Sequence, residues 1–355
     1  MKQKILCIGP FQKPSNANLR TLSFENLGFE VERVDVSDAN VSRNIFSRIK
    51  RRITRLILRK NLNKIIAIKI QEFLPDLVFI EKGVDFNKND LIYFRSLSEK
   101  TMKIAHLNPD DPFGDFKNGW GRFVSSIPYY DFHFVPKEIN KNEYIEHGAE
   151  KVYVYDRSFS PEYHRPLNIP IEEKKYFKSS IGFIGSYAPY RESIIYSLVC
   201  DGLDVTIWGD GWENGRYWKY LSSHLKGRCQ TGDNYIKAIA GMDIALHFVR
   251  HENRDLQDSR TFEIPACGAF MLAERTADHE RLFIENKEAV FFDSSETCIK
   301  ECKYYLSNPS FRAKIAEAGM SRVAASNYDY KSRSKEILEV IFDDHSKKNN
   351  SIPVL

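Results

Sequence analysis

No stretch of this chain reaches the roughly eighteen uncharged apolar residues that a membrane-crossing helix requires. The run Ile5-Leu6-Cys7-Ile8 near the start is too short for a signal peptide. The expectation is a protein made and kept in the cytoplasm. Six cysteines, at 7, 200, 229, 267, 298 and 302, lack a disulfide-rich spacing, which excludes a stapled secreted scaffold. Cys298 and Cys302 are spaced to share a helix face, but no His or Cys pair stands near them to complete a metal site. There is no internal repeat of solenoid length, no Gly-x-Gly-x-x-Gly after the first expected strand, and no Asp-x-Asp. Helix-turn-helix, zinc-finger and RNA-binding patterns are missing too, so nucleic acid is not an expected partner.

What the chain does have is enough apolar material for two cores. Of 355 residues, 42% are hydrophobic and 13% aromatic, which suits two folded domains of ordinary size and excludes wholesale disorder. Positive charge is concentrated. Residues 43–70 hold ten Lys or Arg and no acid, so a total of +4 leaves −6 for the remainder. Within that segment Arg48, Arg51, Arg52, Arg55 and Arg59 recur at helical spacing, with isoleucines and leucines on the neighbouring face. A basic amphipathic helix suits an anionic membrane surface or an acidic glycan. A solvated helix packed on its own sheet is the plainer reading.

Strands and helices alternate along the chain. Apolar runs at 4–9, 30–35, 75–83, 102–107, 129–135 and 151–155 read as strands of a first parallel sheet. The fourth ends in Asn108-Pro109-Asp110-Asp111-Pro112, placing two acids where open α/β sheets put their sites. Asp110 or Asp111 is a candidate general base or acceptor-hydroxyl ligand, and Asp-Pro is equally ordinary turn chemistry. A proline-punctuated stretch around 159–170 reads as the interdomain linker. The pattern then restarts. Ser180–Ser186 is a strand ending in Gly185-Ser186, and Arg191 sits one turn into the next helix, within reach of a phosphate.

Everything turns on residues 255–272. The run Met242–Phe248 and the run Ala269–Leu272 flank a loop and a short helix, one βαβ step. Asp258 or Ser259 caps that helix in this reading, and Gly268 ends it. Its free amides and positive dipole end suit a pyrophosphate. Arg260 and Thr261 lie in the first turn, and Glu263, one turn on, offers a carboxylate to vicinal hydroxyls such as those of a ribose. Pro265 removes a donor and is expected to distort so short a helix.

The run Arg260-Thr261-Phe262-Glu263-Ile264-Pro265-Ala266-Cys267-Gly268-Ala269-Phe270, with Glu274-Arg275 and Tyr304-Tyr305-Leu306, resembles the CgeB-like glycosyltransferases, within the wider group 1 nucleotide-sugar transferases. That resemblance implies an α/β, GT-B fold: two Rossmann-like domains with parallel sheets facing across a cleft, and a C-terminal helix crossing back to the first. On this reading 1–165 is an acceptor domain, 166–329 a nucleotide-sugar donor domain, 330–344 the cross-over helix and 345–355 a flexible tail. Glu263 then takes the ribose, with Gly185, Ser186, Arg191, Ser259, Arg260 and Thr261 around the donor. The family's upstream sugar-contacting Glu is replaced by Asp255, eight residues before Glu263, which leaves the stereochemistry of transfer open. Asp110, Asp111 and Asp255 are the candidate catalytic acids. The resemblance implies transfer of a sugar from a nucleotide-sugar to a glycan or lipid-linked hydroxyl, without cofactor or metal, at the inner membrane face. A nucleotide-sugar 2-epimerase and a non-catalytic glycan- or nucleotide-binding module are the alternatives.

Overall fold

In the computed structural model, residues 2–11, 15–37, 48–114 and 119–343 are described, the side chains of 48–56 excepted. The chain forms two compact units. The first comprises residues 1–156 with Glu252–Arg254 and the chain from Tyr330 onward; the second comprises Arg157–His251 and Asp255–Asp329. The proline-punctuated stretch 159–170 thus lies in the second unit. The expected tail 345–355 lies outside the described residues.

The first unit is built on strands β1 (Lys4–Gly9), β2 (Glu30–Asp35), β3 (Leu77–Glu81), β4 (Lys103–Leu107), β5 (Phe132–Val135) and β6 (Val152–Val154). They pair in parallel in the order β2-β1-β3-β4-β5-β6. The central strands are apolar on both faces because helices cover both. Leu6, Ile8, Val78 and Ile80 pack with Leu62, Ile66 and Ile70 of helix Arg48–Phe73 and with Leu91 and Phe94 of helix Lys88–Ser96. On the opposite face Ile5, Cys7, Leu77 and Phe79 pack with Phe24 and with Ile337, Leu338 and Ile341 of helix Tyr330–Phe342. The reversal of strand order between β1 and β3 opens a crevice at their carboxyl ends, where such sheets hold ligands.

The second unit contains β7 (Ser179–Ile184), β8 (Val205–Trp208), β9 (Leu225–Gly227), β10 (Met242–His247), β11 (Met271–Glu274) and β12 (Val290–Phe292). Their order β12-β11-β10-β7-β8-β9, all parallel, is a doubly wound arrangement, with its switch point between β7 and β10. Strand β9 escapes sequence reading because Leu225-Lys226-Gly227 offers one apolar residue and no run. Strand β11 starts two residues later than its apolar run, since Ala269 still closes the preceding helix and Phe270 leads into the strand. The amides of Gly268 and Ala269 donate to Pro265 and Ile264, a Schellman turn that needs Gly268 at φ +75°. Pro265 sits inside this helix, Arg260–Ala266, which ends one residue later.

Candidate functional site

At the switch point of the second sheet the chain leaves β7 through Gly185 and Ser186 into helix Pro189–Cys200. The Gly185 carbonyl accepts from the Trp212 indole at 3.0 Å, and a Cβ on Gly209 would stand 1.9 Å from it. The Gly209-x-Gly211 turn thus has a packing reason for its first glycine. The Ser186 carbonyl accepts from Arg191 Nη1 at 3.0 Å, and the Val249 carbonyl, just past β10, accepts from Nη2 at 3.3 Å. Phe183 and Tyr190 lie beside the guanidinium, with centroids 5.7 and 5.3 Å from Cζ. Arg191 is only 6% exposed, its Nε has no partner, and no carboxylate pairs with it among the described residues. The neighbouring Glu192 is engaged elsewhere, accepting from the amides of Arg216 and Tyr217 at 3.1 and 2.6 Å. A buried cation without an anion is costly, and an anionic ligand removes that cost.

The helix after β10 differs from its expected form. Asp258, not Ser259, takes the first amide: its Oδ1 accepts from Arg260 N at 2.7 Å, while Ser259 makes no side-chain cap. The amides of Thr261, Phe262 and Glu263 donate to the carbonyls of Asp258 and Ser259. Asp258 also pairs with Arg260 at 3.2 Å. Burial alone would raise its carboxyl, but His247 and Arg260 outweigh that and hold it well below the carboxylate range. The positive dipole end expected to cradle a pyrophosphate is therefore already occupied by a carboxylate. Arg260 keeps a buried Nε without a partner.

Thr261 is the hub of this loop. Its Oγ1 accepts from Asp258 N at 3.1 Å and lies 2.9 Å from His247 Nε2 and 3.0 Å from His279 Nε2. His279 Nδ1 is 2.6 Å from the Glu274 carbonyl, which can only accept, so that nitrogen carries the proton. The Thr261 hydroxyl then donates to His279, and His247 donates through Nε2 to Thr261. This leaves His247 Nδ1 bare and without a partner. Burial pushes His247 down to about 3, so it is neutral, as the assignment requires.

Glu263 stands beyond the hub. Its Oε2 accepts from Tyr235 Oη at 2.6 Å, and its Oε1 is 3.6 Å from His164 Nε2. The Ser160 amide donates to His164 Nδ1 at 3.0 Å, so Nε2 bears the proton and points it at Glu263. The carboxylate expected to stand open to two hydroxyls is thus partly engaged, and Oε1 is the less occupied oxygen. Asp255 is more fully committed: it is buried and bonded to Arg250 Nε at 3.1 Å. Among the described residues no group of three His, Cys, Asp or Glu side chains is arranged to hold a metal ion.

In the first unit the two adjacent acids separate. Asp111 is buried and bonds Arg254 twice, Nε to Oδ2 at 2.6 Å and Nη2 to Oδ1 at 2.9 Å. It also accepts from Asn140 Nδ2 and the Phe113 amide, each at 2.9 Å. Burial raises its carboxyl, but these donors, Arg254 foremost, pull it below the ordinary value. Arg254 reaches on to Glu143 at 2.8 and 2.9 Å. So saturated a carboxylate is a poor base. Asp110 is the more accessible of the two and pairs with Lys82 at 3.0 Å. Lys82, at φ +66°, takes a left-handed backbone at the end of β3, beside the buried Arg20–Glu81 pair.

The basic helix also divides. Arg59 turns inward to Asp85 at 3.0 Å, which takes it out of the expected outer stripe. The backbones of Arg48, Arg51, Arg52 and Arg55 are helical, and their side chains lie outside the described residues. Sequence reading missed Arg254, His164 and Tyr235, and it named Thr261 for the donor without its role as the hub of the loop. Their partners lie 14 to 143 residues away in the chain, and no local pattern marks such pairs.

Residues 191–339 match the family described as glycosyl transferase-like. No curated protein matches the sequence. Among solved structures, sucrose-phosphate synthase from Thermosynechococcus elongatus superposes with a TM-score of 0.70 at 9% identity, covering 97% of this chain and 100% of that one. Anabaena HepE in complex with UDP-glucose does so with a TM-score of 0.64 at 12% identity, covering 96% and 99%. A UDP-N-acetylglucosamine 2-epimerase, so named putatively, from Listeria monocytogenes reaches 0.56 at 12% identity, covering 99% and 98%. The fold is that of the GT-B glycosyltransferases.

Proposed function

We propose that this protein is a glycosyltransferase that moves a sugar from a nucleotide-sugar to a hydroxyl acceptor. The observation that carries this reading is Arg191, a buried guanidinium held by two carbonyls and no acid at the carboxyl end of β7. It needs an anion, and the diphosphate of a nucleotide-sugar supplies one where doubly wound sheets bind nucleotides. Arg260, on the next loop of the same switch point, adds a second guanidinium. Together they stabilise the charge that develops on the departing nucleoside diphosphate, which is electrostatic leaving-group catalysis. Glu263, oriented by Tyr235 and His164, accepts a ribose hydroxyl through Oε1. The family match over this region and the UDP-glucose bound by Anabaena HepE support a uridine diphosphate donor as the first candidate. Of the two acids after β4, Asp110 is the better candidate for the acceptor hydroxyl, because Asp111 is spent on Arg254. We read the acceptor as a glycan or lipid-linked sugar.

Calorimetric titration of UDP, GDP, CDP and TDP into the wild type, Arg191→Met and Glu263→Ala tests the site. One nucleotide is expected to bind, weakened by roughly tenfold or more in each variant, the loss of one charge-assisted contact. Equal binding by the variants, or none by the wild type, sinks the assignment. Incubating the identified donor without acceptor then separates transfer from 2-epimerisation, since only an epimerase converts the donor alone.

A further inference from the structure

Residues 57–73 of the long helix in the first unit bury Leu62, Ile66, Ala67 and Ile70 against the sheet, which fixes the side that faces out. That outer side sets isoleucines into the polar surface such a packed helix normally presents. Ile57, Ile65 and Ile68 are 54%, 50% and 41% exposed, at spacings of eight and three residues that align them. Lys60 and Lys64 flank them, exposed and without a carboxylate partner among the described residues. Glu72, near the helix end, is the single acid in this stretch. Helix Lys88–Ser96 lies alongside on the same sheet face, joined by Asn63 Nδ2 to Asp90 Oδ1 at 2.6 Å and by the Arg59–Asp85 pair. It turns out Ile92 and Tyr93, 49% and 47% exposed.

We infer that this two-helix face docks, without crossing, on an anionic lipid bilayer. Three features point to that occupant. Branched apolar side chains stand in water at helical spacing with Lys60 and Lys64 beside them, a tyrosine is exposed on the adjoining helix, and the sequence of 43–70 carries ten basic residues with no acid. A protein partner of ordinary composition explains the isoleucines and not the one-signed charge; a nucleic acid explains the charge and not the isoleucines. No helix among the described residues is long and apolar enough to span, so contact is interfacial. The structure also selects the residues: Arg59 faces Asp85, and the docking contacts are Ile57, Lys60, Lys64, Ile65 and Ile68.

Co-sedimentation of the full chain with vesicles tests this, using phosphatidylcholine alone and phosphatidylcholine with roughly 30 mol% phosphatidylserine. The wild type is expected to pellet with the anionic vesicles only and to be released progressively by salt. Lys60→Glu with Lys64→Glu, and separately Ile65→Ser with Ile68→Ser, should each weaken binding about tenfold or more while the melting temperature and circular dichroism stay at wild-type values. The substituted side chains are exposed, so folding is preserved, and Glu99→Ala serves as an exposed control that binds like the wild type. Failure to bind anionic vesicles, equal binding to both compositions, or unchanged binding by both double variants overturns the proposal. Retention on duplex DNA without vesicle binding overturns it in favour of a nucleic-acid surface. Nucleotide affinity lies in the other unit and is read separately, so this result and that of the titration stand apart.

Discussion

Replacing Arg254 by alanine is the sharpest test of how the first unit holds its acids. Asp111 receives two hydrogen bonds from this guanidinium and Glu143 two more, all between 2.6 and 2.9 Å. Removing one partner of a buried ion pair costs about 3–5 kcal/mol, because the other charge is left without compensation. Here the cost is discounted. Arg254 is partly exposed, and Asp111 keeps the Phe113 amide and Asn140. About 2–3 kcal/mol remains, which for a unit of this size lowers the melting transition by roughly 5–10 °C. Calorimetric melting of wild type and variant reads this directly. Adding Asp111→Asn to Arg254→Ala removes the buried charge and should restore part of the loss, by roughly 1 kcal/mol or more. A shift under about 2 °C, or a double variant less stable than the single one, refutes the reasoning.

The same pair sets a sign for pH. In the wild type the Asp111 carboxyl lies below its ordinary value, so its contribution is fully present above the ordinary carboxylate range and is lost as pH falls through the lowered folded value. Without Arg254, burial dominates and the carboxyl titrates above its ordinary value. Its contribution is then present at low pH and lost as pH rises. The melting temperature of the variant should approach that of the wild type on acidification below about pH 4. A gap that widens with acid overturns the assignment of Arg254 as the group that holds Asp111 ionised.

Much of this architecture was legible because a parallel sheet writes itself in the chain. β1, β2 and β10 begin and end within a residue of their apolar runs, and the glycine at 268 marks a helix end by the one backbone conformation it alone adopts cheaply. The site was legible in type and less so in detail. Arg191, Arg260 and Glu263 could be picked out by where they stand relative to strand ends. Their availability could not, because that depends on partners far away in sequence: Tyr235 and His164 for Glu263, Arg250 for Asp255, Arg254 for Asp111. The choice of cap left open by the sequence has a local answer. Both Asp258 and Ser259 are good caps by residue type, and only backbone geometry decides between them; Ser259 takes a helical conformation that withdraws its side chain from that role.

Two further substitutions probe the second unit. Thr261→Val keeps the shape of the hub and deletes its oxygen, leaving the Asp258 amide and His247 Nε2–H buried without acceptors. About 2–3 kcal/mol of stability should be lost, read as a lower melting transition, and no loss would show that the hub oxygen is dispensable. Tyr235→Phe addresses Glu263 itself. The hydroxyl donates to Oε2 at 2.6 Å, and burial and the nearby Glu263 carboxylate push the phenol well above its ordinary value, so it stays a donor. If Glu263 binds a ribose, losing that donor frees the carboxylate to turn, and nucleotide affinity should fall about threefold to tenfold, part of the energy of a bond to a charged acceptor. The decisive comparison is in the Glu263→Ala background, where the phenol has nothing left to orient. There Tyr235→Phe should change nucleotide affinity no further, whereas a structural role in the core would carry its full effect into both backgrounds. Additive losses would therefore show that Tyr235 packs the unit and does not position Glu263.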